Sequence, residues 1–367
     1  MKVEAENDTS EAQLVQTERE MLILREVVEA YIGSGEAVGS KAVARRLRNR
    51  LSSASIRSTM HRLGESGFLQ KPHTSAGRVP TDRGYRAYLD GLLVPIPLSA
   101  GELERLAAPL ADPVLVEGFS SQQLLRNAAH ALSRHMGAIS LVFAPRLESA
   151  VLRRIEFHGV GPHRVLAIAI TEGGIVHERM LRVEPELGRD ELEALSRYLN
   201  ELLPGRTLDE VRGFLTAEQT RDRAAHSALE KQALELGRRA LDDVGERPPV
   251  VDGAAQLLET KEFAEAPDKA AELLRALEQR ASWLELLERV AAADDIEVYV
   301  GEENGRPALE PCALVAGRYD SDGGVGLVAV VGPKRLDYRR AIPMVRIVAH
   351  RLSAVLGSRG DERSATG

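Results

Sequence analysis

The stretch that decides the fold of the N-terminal region is LSSASIRSTMHRLGESGFLQKPHTSAGRVPTDRGY, residues 51–85. In its first third, Ile56, Met60 and Leu63 recur at the i, i+4, i+7 spacing that places side chains on one face of an α-helix. Hydroxyl residues stand just before Ile56 and can cap a helix N-terminus. The pattern predicts a helix from Ser53 to about Ser66 with a core-facing apolar stripe.

The second half of the same stretch has the pattern of a β-hairpin. Pro72 and Pro80 lack an N–H donor and restrict the residues that precede them, which excludes a continuous helix. A short extended run, FLQK, leads into the turn PHTSAG, and RVP returns. We therefore expect a two-stranded hairpin directly after the helix.

Two further helices are expected upstream. Thr17 and Glu20 form a capping box that opens an amphipathic run, and this run ends at the GSG of residues 33–35. Ser40 can cap a short second helix, KAVARRLR. The sequence before Thr17 has no apolar core, so we expect a flexible acidic tail over residues 1–16.

A fourth helix is expected at the end of the stretch. Thr81 can cap it, and Tyr85 and Tyr88 belong to its buried stripe. Three helices, a hairpin and a closing helix together predict a winged helix-turn-helix domain over residues 17–93.

Basic residues are concentrated in this region, although the 367-residue chain has a formal net charge of -7. A negative total argues against nucleic-acid binding, but the local distribution of charge matters more for contact with phosphates. No acidic residue lies between Glu36 and Glu65. That interval carries Lys41, Arg45, Arg46, Arg48, Arg50, Arg57 and Arg62. Such a run can be an ordinary solvated surface, but beside a helix-turn-helix pattern we favour DNA binding.

The candidate DNA-binding residues lie on the outward face of the Ser53–Ser66 helix, near the start of the helix before it, and in the hairpin turn. Arg57, Ser58, His61 and Arg62 are expected to reach base edges in the major groove. The others are expected to hold phosphates, and glycine lets backbone amides approach DNA closely. The full set is Ser40, Lys41, Ser53, Ser55, Arg57, Ser58, His61, Arg62, His73, Thr74, Ser75, Gly77 and Arg78.

The rest of the chain alternates β-rich and helical regions, which predicts an α+β multidomain protein. After a proline-containing linker at residues 93–102, short strands such as AISLVFA and HRVLAIAI occur, and strands resume at DIEVYVG, CALVAGRY and GVGLVAVVG. Helices between strands of one sheet are typical of an insertion. The expected boundaries are an α/β domain over 103–186 and 293–357, an inserted helical domain over 187–292 and a flexible tail over 358–367.

The sequence offers no catalytic or cofactor-binding pattern. His130 and His135 are five residues apart, which does not place both on one helix face for a zinc ion. The single cysteine, Cys312, lies in an apolar strand and fits a core residue better than a nucleophile. We therefore expect a protein without enzymatic activity, cofactor or metal.

The expected location is the cytoplasm, with no membrane association. One cysteine permits no internal disulfide, which fits a reducing compartment. No apolar run is long enough to span a membrane, and the N-terminus has no apolar signal core.

Four blocks of the sequence carry a specific resemblance: GSGEAVGSKAVARR, LSSASIRSTMHRLGESGFLQKPHTSAGRVPTDRGYRAYLD, GEENGRPALEPCALVAGRY and GLVAVVGPKRLDYRRAIPMV. They resemble the bacterial heat-inducible transcription repressor HrcA family from about residue 17 to about residue 356. The resemblance implies a GAF-like α/β domain, an inserted dimerisation domain and an inverted-repeat DNA operator, CIRCE, upstream of chaperonin operons. It also implies that the chaperonin GroEL keeps the repressor active. The family's recognition helix usually reads Ile-Arg-Asn-Asp, where this chain has Ile56, Arg57, Ser58 and Thr59.

The inserted block carries apolar stripes that a small domain cannot easily bury alone, namely Leu273, Leu277, Leu284 and Leu287 near Trp283. We therefore expect a homodimer that depends on residues 187–292. An alternative function is a small-molecule sensor, in which the GAF-like pocket binds a metabolite and DNA is released.

Overall fold

The structure, a computed structural model, describes residues 2–72, 77–110, 121–145, 150–172, 176–184, 186–203, 205–220, 227–242, 248–278, 283–321 and 324–357. The α-helices are α1 (Lys2–Ser34), α2 (Ser40–Arg46), α3 (Ser53–Glu65), α4 (Asp82–Gly91), α5 (Ala100–Ala107), α6 (Ser121–Met136), α7 (Arg189–Leu202), α8 (Leu208–Thr220), α9 (Ala228–Leu241), α10 (Ala254–Leu258), α11 (Lys261–Ala264), α12 (Pro267–Glu278), α13 (Leu284–Ala292) and α14 (Tyr338–Gly357). The strands are β1 (Leu69–Gln70), β2 (Val79–Pro80), β3 (Ile139–Phe143), β4 (Leu152–Gly161), β5 (Arg164–Thr171), β6 (Val176–Arg182), β7 (Val250–Asp252), β8 (Glu297–Val300), β9 (Cys312–Ser321) and β10 (Gly324–Pro333).

The N-terminal module consists of α1 to α4 with β1 and β2. The predicted stripe of α3 is confirmed, since Ile56, Met60 and Leu63 are buried. The expected start of α1 at Thr17 is wrong, because the helix begins at Lys2, and the flexibility of residues 1–16 stays a prediction. Residues 2–16 contain neither proline nor glycine, so nothing in the sequence stops the helix there.

The N-terminal caps of this module differ in part from the prediction. Gly39, rather than Ser40, caps α2, and no side chain supplies the capping hydrogen bond. Ser52 caps α3, and its hydroxyl accepts from the backbone amide of Ser55 at 3.2 Å. Thr81 caps α4 as predicted.

The predicted hairpin is present: β1 and β2 are antiparallel, with Leu69 opposite Pro80 and Gln70 opposite Val79. Its base is held by the loop before α2. Val38 and Arg78 exchange two backbone hydrogen bonds, of 2.9 and 3.0 Å. The hairpin is therefore fixed to the helical part of the module at its root.

The largest sheet of the described chain is antiparallel and has the strand order β7-β3-β10-β9-β8. One face packs on α6 and α14 and shares a core with the N-terminal module. The other face is covered by the region from α10 to α13, where Trp283 is fully buried and contacts Phe143 edge to face at 5.8 Å. Both faces of β3, β9 and β10 are thus buried, which explains their continuous apolar sequences.

A separate unit, residues 150–242, contains the sheet β4-β5-β6 packed on α7, α8 and α9 with its own core. The predicted boundaries are therefore wrong. We expected residues 150–186 to share a sheet with the C-terminal strands and expected the helices of 187–292 to form the insertion. In β5, buried and half-buried residues alternate, as they do in a sheet with one open face. The insertion lies between β3 and β7, which are hydrogen-bonded neighbours.

The N-terminal module is docked on the central sheet through α4. Lys334 donates to Asp82 Oδ1 at 2.6 Å, and a Cβ at Gly301, whose φ is 61°, would lie 1.8 Å from Asp82 Oδ2. Arg86 donates to the Val298 carbonyl at 2.6 Å and to both carboxylate oxygens of Glu303. The GEEN and GPKRLDY blocks of the sequence therefore join the two parts of the molecule.

The ion pair between Arg86 and Glu303 shifts the pKa values of both groups. Burial opposes ionisation of Glu303, but the hydrogen bonds from Arg86 and the Val300 amide outweigh it and lower the pKa of Glu303 below its usual value. The hydrogen bond to Glu303 in turn raises the pKa of Arg86. Both groups are therefore held in their charged forms at the junction.

Candidate nucleic-acid interface

The outward face of α3 presents Arg57, Ser58 and His61, which are exposed. His61 Nδ1 lies 3.4 Å from Glu65 Oε1, one turn along the same face. Thr59 points the other way: it is 2% exposed, and its hydroxyl donates to the Ser55 carbonyl at 3.2 Å. Two residues of α3 differ from the family motif. Thr59 is therefore packed inside the module, whereas Ser58 lies on the surface of the helix.

Two predicted contact residues of α3 are instead bound by α1. Arg62 Nε donates to Glu20 Oε1 at 2.9 Å, and the Arg19 guanidinium donates to the Ser55 hydroxyl. Arg62 and Ser55 are therefore engaged within the protein, and their contact with DNA stays a prediction. These side chains fix the orientation of α3 on α1.

The serines at the start of α2 and α3 bind each other. Ser40 Oγ lies 3.0 Å from Ser53 Oγ, and Ser40 is only 8% exposed. The pair holds the first turns of both helices together, so we no longer assign Ser40 to phosphate binding. Lys41, the next residue, is exposed.

Gly77 is buried at the base of the hairpin. A Cβ at this position would lie 2.6 Å from the backbone carbon of Ala37, closer than real Cβ contacts allow. The glycine is therefore required by packing within the protein and not by an approach to DNA. The half-exposed Arg78 guanidinium lies beside Gly64 at the end of α3, 3.5 Å from where a Cβ of Gly64 would be. The predicted residues His73, Thr74 and Ser75 lie outside the described residues.

The structure adds three cations that the sequence prediction did not select: Arg45, Arg48 and Arg50 are exposed at the end of α2 and in the turn before α3. Arg48 and Asn49 have φ values of 50° and 57°, an uncommon conformation outside glycine that often marks functional turns. The signal that could have found these arginines was the acid-free interval itself.

We call five exposed residues the free cations: Lys41, Arg45, Arg48, Arg50 and Arg57. None has a described carboxylate within 4.0 Å, in contrast to Arg46, which pairs with Glu26 and Glu29, and Arg62, which pairs with Glu20. An exposed cation without an internal ion pair can bind a phosphate without first breaking such a pair.

One cluster elsewhere has the residue types of a hydrolase. His130 Nδ1 lies 2.8 Å from Asp252 Oδ2, and Ser133 Oγ donates to the same oxygen at 2.7 Å. No described hydrogen bond joins the serine hydroxyl to the imidazole, so the nucleophile–base contact of a triad is missing. Burial opposes ionisation of Asp252, but these hydrogen bonds outweigh it and lower its pKa. The cluster joins α6 to β7.

The remaining reactive groups fit structural roles. Burial raises the pKa of the Cys312 thiol to about 12, which leaves it un-ionised and unreactive near neutral pH. Within the described ranges, His, Cys, Asp and Glu side chains form no group of three that could hold a metal ion. None of the described helices combines the length and apolarity needed to cross a membrane.

Comparison with known proteins supports the family resemblance that the four sequence blocks carry. The family model for the HrcA protein C-terminal domain matches residues 122–342. The heat-inducible transcription repressor HrcA of Nitratidesulfovibrio vulgaris (strain DSM 19637 / Miyazaki F) is 38% identical over 350 residues, which cover 93% of this chain and 96% of that protein. The repressor of the same name from Geobacter sulfurreducens is 34% identical, with coverage of 93% and 98%.

A crystal structure described as that of a hypothetical protein has the same fold. Its TM-score is 0.58 at 27% identity, and the alignment covers 93% of this chain and 97% of that one. The class of these two relatives is that of heat-inducible transcription repressors. More narrowly, the chain belongs to the heat-inducible transcription repressor HrcA family.

Proposed function

We propose that this protein represses chaperonin operons in the bacterial cytoplasm by binding the inverted-repeat CIRCE operator as a dimer. The N-terminal module acts as a winged helix-turn-helix, in which α3 enters the major groove and the hairpin follows the sugar-phosphate backbone. The observation that carries the proposal is the set of free cations around the exposed face of α3. The central sheet with its helices corresponds to the GAF-like domain.

The assignment of residues to bases and phosphates is tested by substitution. Arg57→Ala should weaken operator binding by about 1–3 kcal/mol and relax sequence preference, because an arginine that reads a base discriminates between sequences. Lys41→Ala should weaken binding to all sequences alike. Both are measured by fluorescence anisotropy with operator and scrambled duplexes.

The control for these variants is Arg189→Ala, on the insertion, where the arginine is 90% exposed and pairs with Glu193. This variant should bind like the wild type. An Arg57→Ala protein with unchanged affinity and unchanged preference would show that α3 does not read the operator through this side chain.

The dimer needs a surface other than the predicted leucine stripe. Leu273, Leu277 and Trp283 are buried in the core of this chain, so they are not available to a partner. The side chains of Leu284 and Leu287 lie outside the described residues. The expected dimerisation through this stripe is therefore corrected.

We assign the dimer contact to the open face of the β4-β5-β6 sheet. We call its apolar part the open sheet face: Leu166, Ile168, Ile170, Val176 and Met180. The registers place Leu166 beside Met180 and Ile170 beside Val176, and Met180 and Val176 are 53% and 46% exposed. Charged side chains share this face: Arg154 and Glu156 lie beside Ile170 and Ile168 on β4, and Glu178 lies beside Ile168 on β6, between Val176 and Met180. A second copy related by two-fold symmetry offers both the same apolar surface and opposite charges.

The proposed dependence on GroEL has a physical basis in the topology. Leu141 of β3 pairs with Ala329 of β10, and the whole insertion lies between them in the chain. Such non-local pairing is slow and leaves apolar strands exposed during folding. A repressor that needs the chaperonin to complete this sheet loses activity when heat fills the chaperonin with other clients.

This dependence predicts a rescue. Heat-inactivated repressor should regain operator binding when GroEL and ATP are added, and an excess of unfolded client protein should abolish the recovery. The measurement is a mobility shift on the operator after each treatment. Equal recovery without the chaperonin, or recovery that ignores the competing client, would contradict the model.

A further inference from the structure

The linker between the N-terminal module and the rest of the chain is bound to α14. Residues 93–99 leave α4 and lead into α5, and Val94 and Ile96 expose 60% and 37% of their surface. Their backbone is nevertheless hydrogen-bonded. The Ile96 amide donates to the Arg339 carbonyl at 3.0 Å, and Arg339 Nε donates to the Val94 carbonyl at 3.0 Å.

A proline explains why the Arg339 carbonyl can accept from the linker. In a regular helix this carbonyl would accept from the amide of residue 343. Residue 343 is Pro343, inside α14, and it has no N–H. The sequence of α14 therefore leaves one carbonyl free at the position that the Ile96 amide occupies.

Arg339 also reaches the N-terminal module directly. Its Nη1 lies 3.5 Å from Glu29 Oε2 of α1, and the same glutamate oxygen lies 3.2 Å from Arg46 Nη2 of α2. One side chain of the core helix thus contacts the linker and α1, and through Glu29 it is connected to the helix that precedes α3.

We propose that Arg339, together with Pro343, is a positioning residue for DNA binding. Together with the α4 contacts it holds the N-terminal module on the core, and in a dimer it thereby helps to set the distance and angle between the two α3 helices. Ion pairs and hydrogen bonds at the surface contribute little to stability, but they restrict orientation. Neither residue needs to contact DNA. The inference rests on the proposed binding of an inverted repeat by a dimer.

The readout that separates positioning from stability is half-site spacing. A dimer with rigidly held modules binds only where the half-sites have the matching helical phase. A spacer changed by about half a helical turn should weaken wild-type binding by roughly 10²–10⁴, since one module is then left unbound. In Arg339→Ala and Pro343→Ala this penalty should shrink by about tenfold or more, whereas affinity for a single half-site stays that of the wild type.

The matched control is Arg346→Ala, on the same helix. Arg346 pairs with Asp295 at 2.8 Å and touches neither the linker nor α1 according to the described contacts. This variant should keep the full spacing penalty. If Arg339→Ala keeps it as well, the positioning role is overturned.

Hydrogen exchange tests the linker contact without DNA. Ile96 lies between Pro95 and Pro97, so its amide is the only backbone N–H from residue 95 to residue 97. It should be protected in the wild type and exchange faster in Pro343→Ala, where a restored amide at position 343 competes for the Arg339 carbonyl. An Ile96 amide that exchanges freely in the wild type overturns the inference. A wild type with a protected Ile96 amide that binds no operator instead overturns the proposed function, and the positioning role with it.

Discussion

Operator affinity is expected to fall by roughly 10³–10⁵ when the salt concentration rises from about 50 to about 200 mM. Each N-terminal module presents the five free cations, Lys41, Arg45, Arg48, Arg50 and Arg57, without a described acidic partner. A dimer places two such modules on the operator. Each phosphate that they neutralise releases counterions, so the logarithm of the affinity falls linearly with the logarithm of the salt concentration.

The slope of this line is proportional to the number of phosphate contacts, so the substitution of a single cation should change it. Lys41→Ala should make the slope shallower by about one per neutralised phosphate. Arg346→Ala should leave the slope unchanged, because Arg346 is paired with Asp295 and lies on the core. A nearly flat salt dependence of the wild type would contradict phosphate binding by these residues.

Met180→Asp is expected to separate the dimer and to weaken operator binding by roughly 10²–10⁴. Met180 is 53% exposed in the single chain, so a carboxylate there is solvated and costs the monomer little. In the proposed dimer the same carboxylate would be buried against a second open sheet face, where an unpaired charge is strongly unfavourable. Sedimentation measures the state of assembly, and anisotropy measures binding.

The control is Leu258→Asp. Leu258 is a comparably exposed apolar residue, at 42%, but it lies in α10 beside the central sheet. This variant should remain a dimer and bind like the wild type. A Met180→Asp protein that sediments as a dimer would show that the assembly uses another surface.

Local signals in the sequence predicted local structure well. The spacing of Ile56, Met60 and Leu63 defined the buried face of α3, and two prolines marked the hairpin, because both effects act within a few residues. The predicted start of α1 was wrong because it also depended on a local signal alone. The capping box at Thr17 is a good start signal, but it does not end a helix that already runs through it.

Contacts between distant residues could not be predicted. The sequence marks Arg62 as a basic residue on a surface helix, but its partner Glu20 lies 42 residues earlier. The same holds for Leu273 and Trp283, whose apolar character is consistent with either a core or an interface. For β5, the run VLAIAI is apolar throughout, so its sequence does not indicate an open sheet face; only the burial of its residues alternates.

The way in which the insertion is attached has a consequence for heat. Its two ends leave from β3 and β7, which are adjacent antiparallel strands with Val142 opposite Val250. The chain therefore leaves the central sheet and returns to it at neighbouring points. Residues 150–242 can melt and refold without unthreading that sheet. In the proposed dimer, melting of residues 150–242 separates the two subunits while the central sheet stays folded, so release from the operator does not require unfolding of the whole chain.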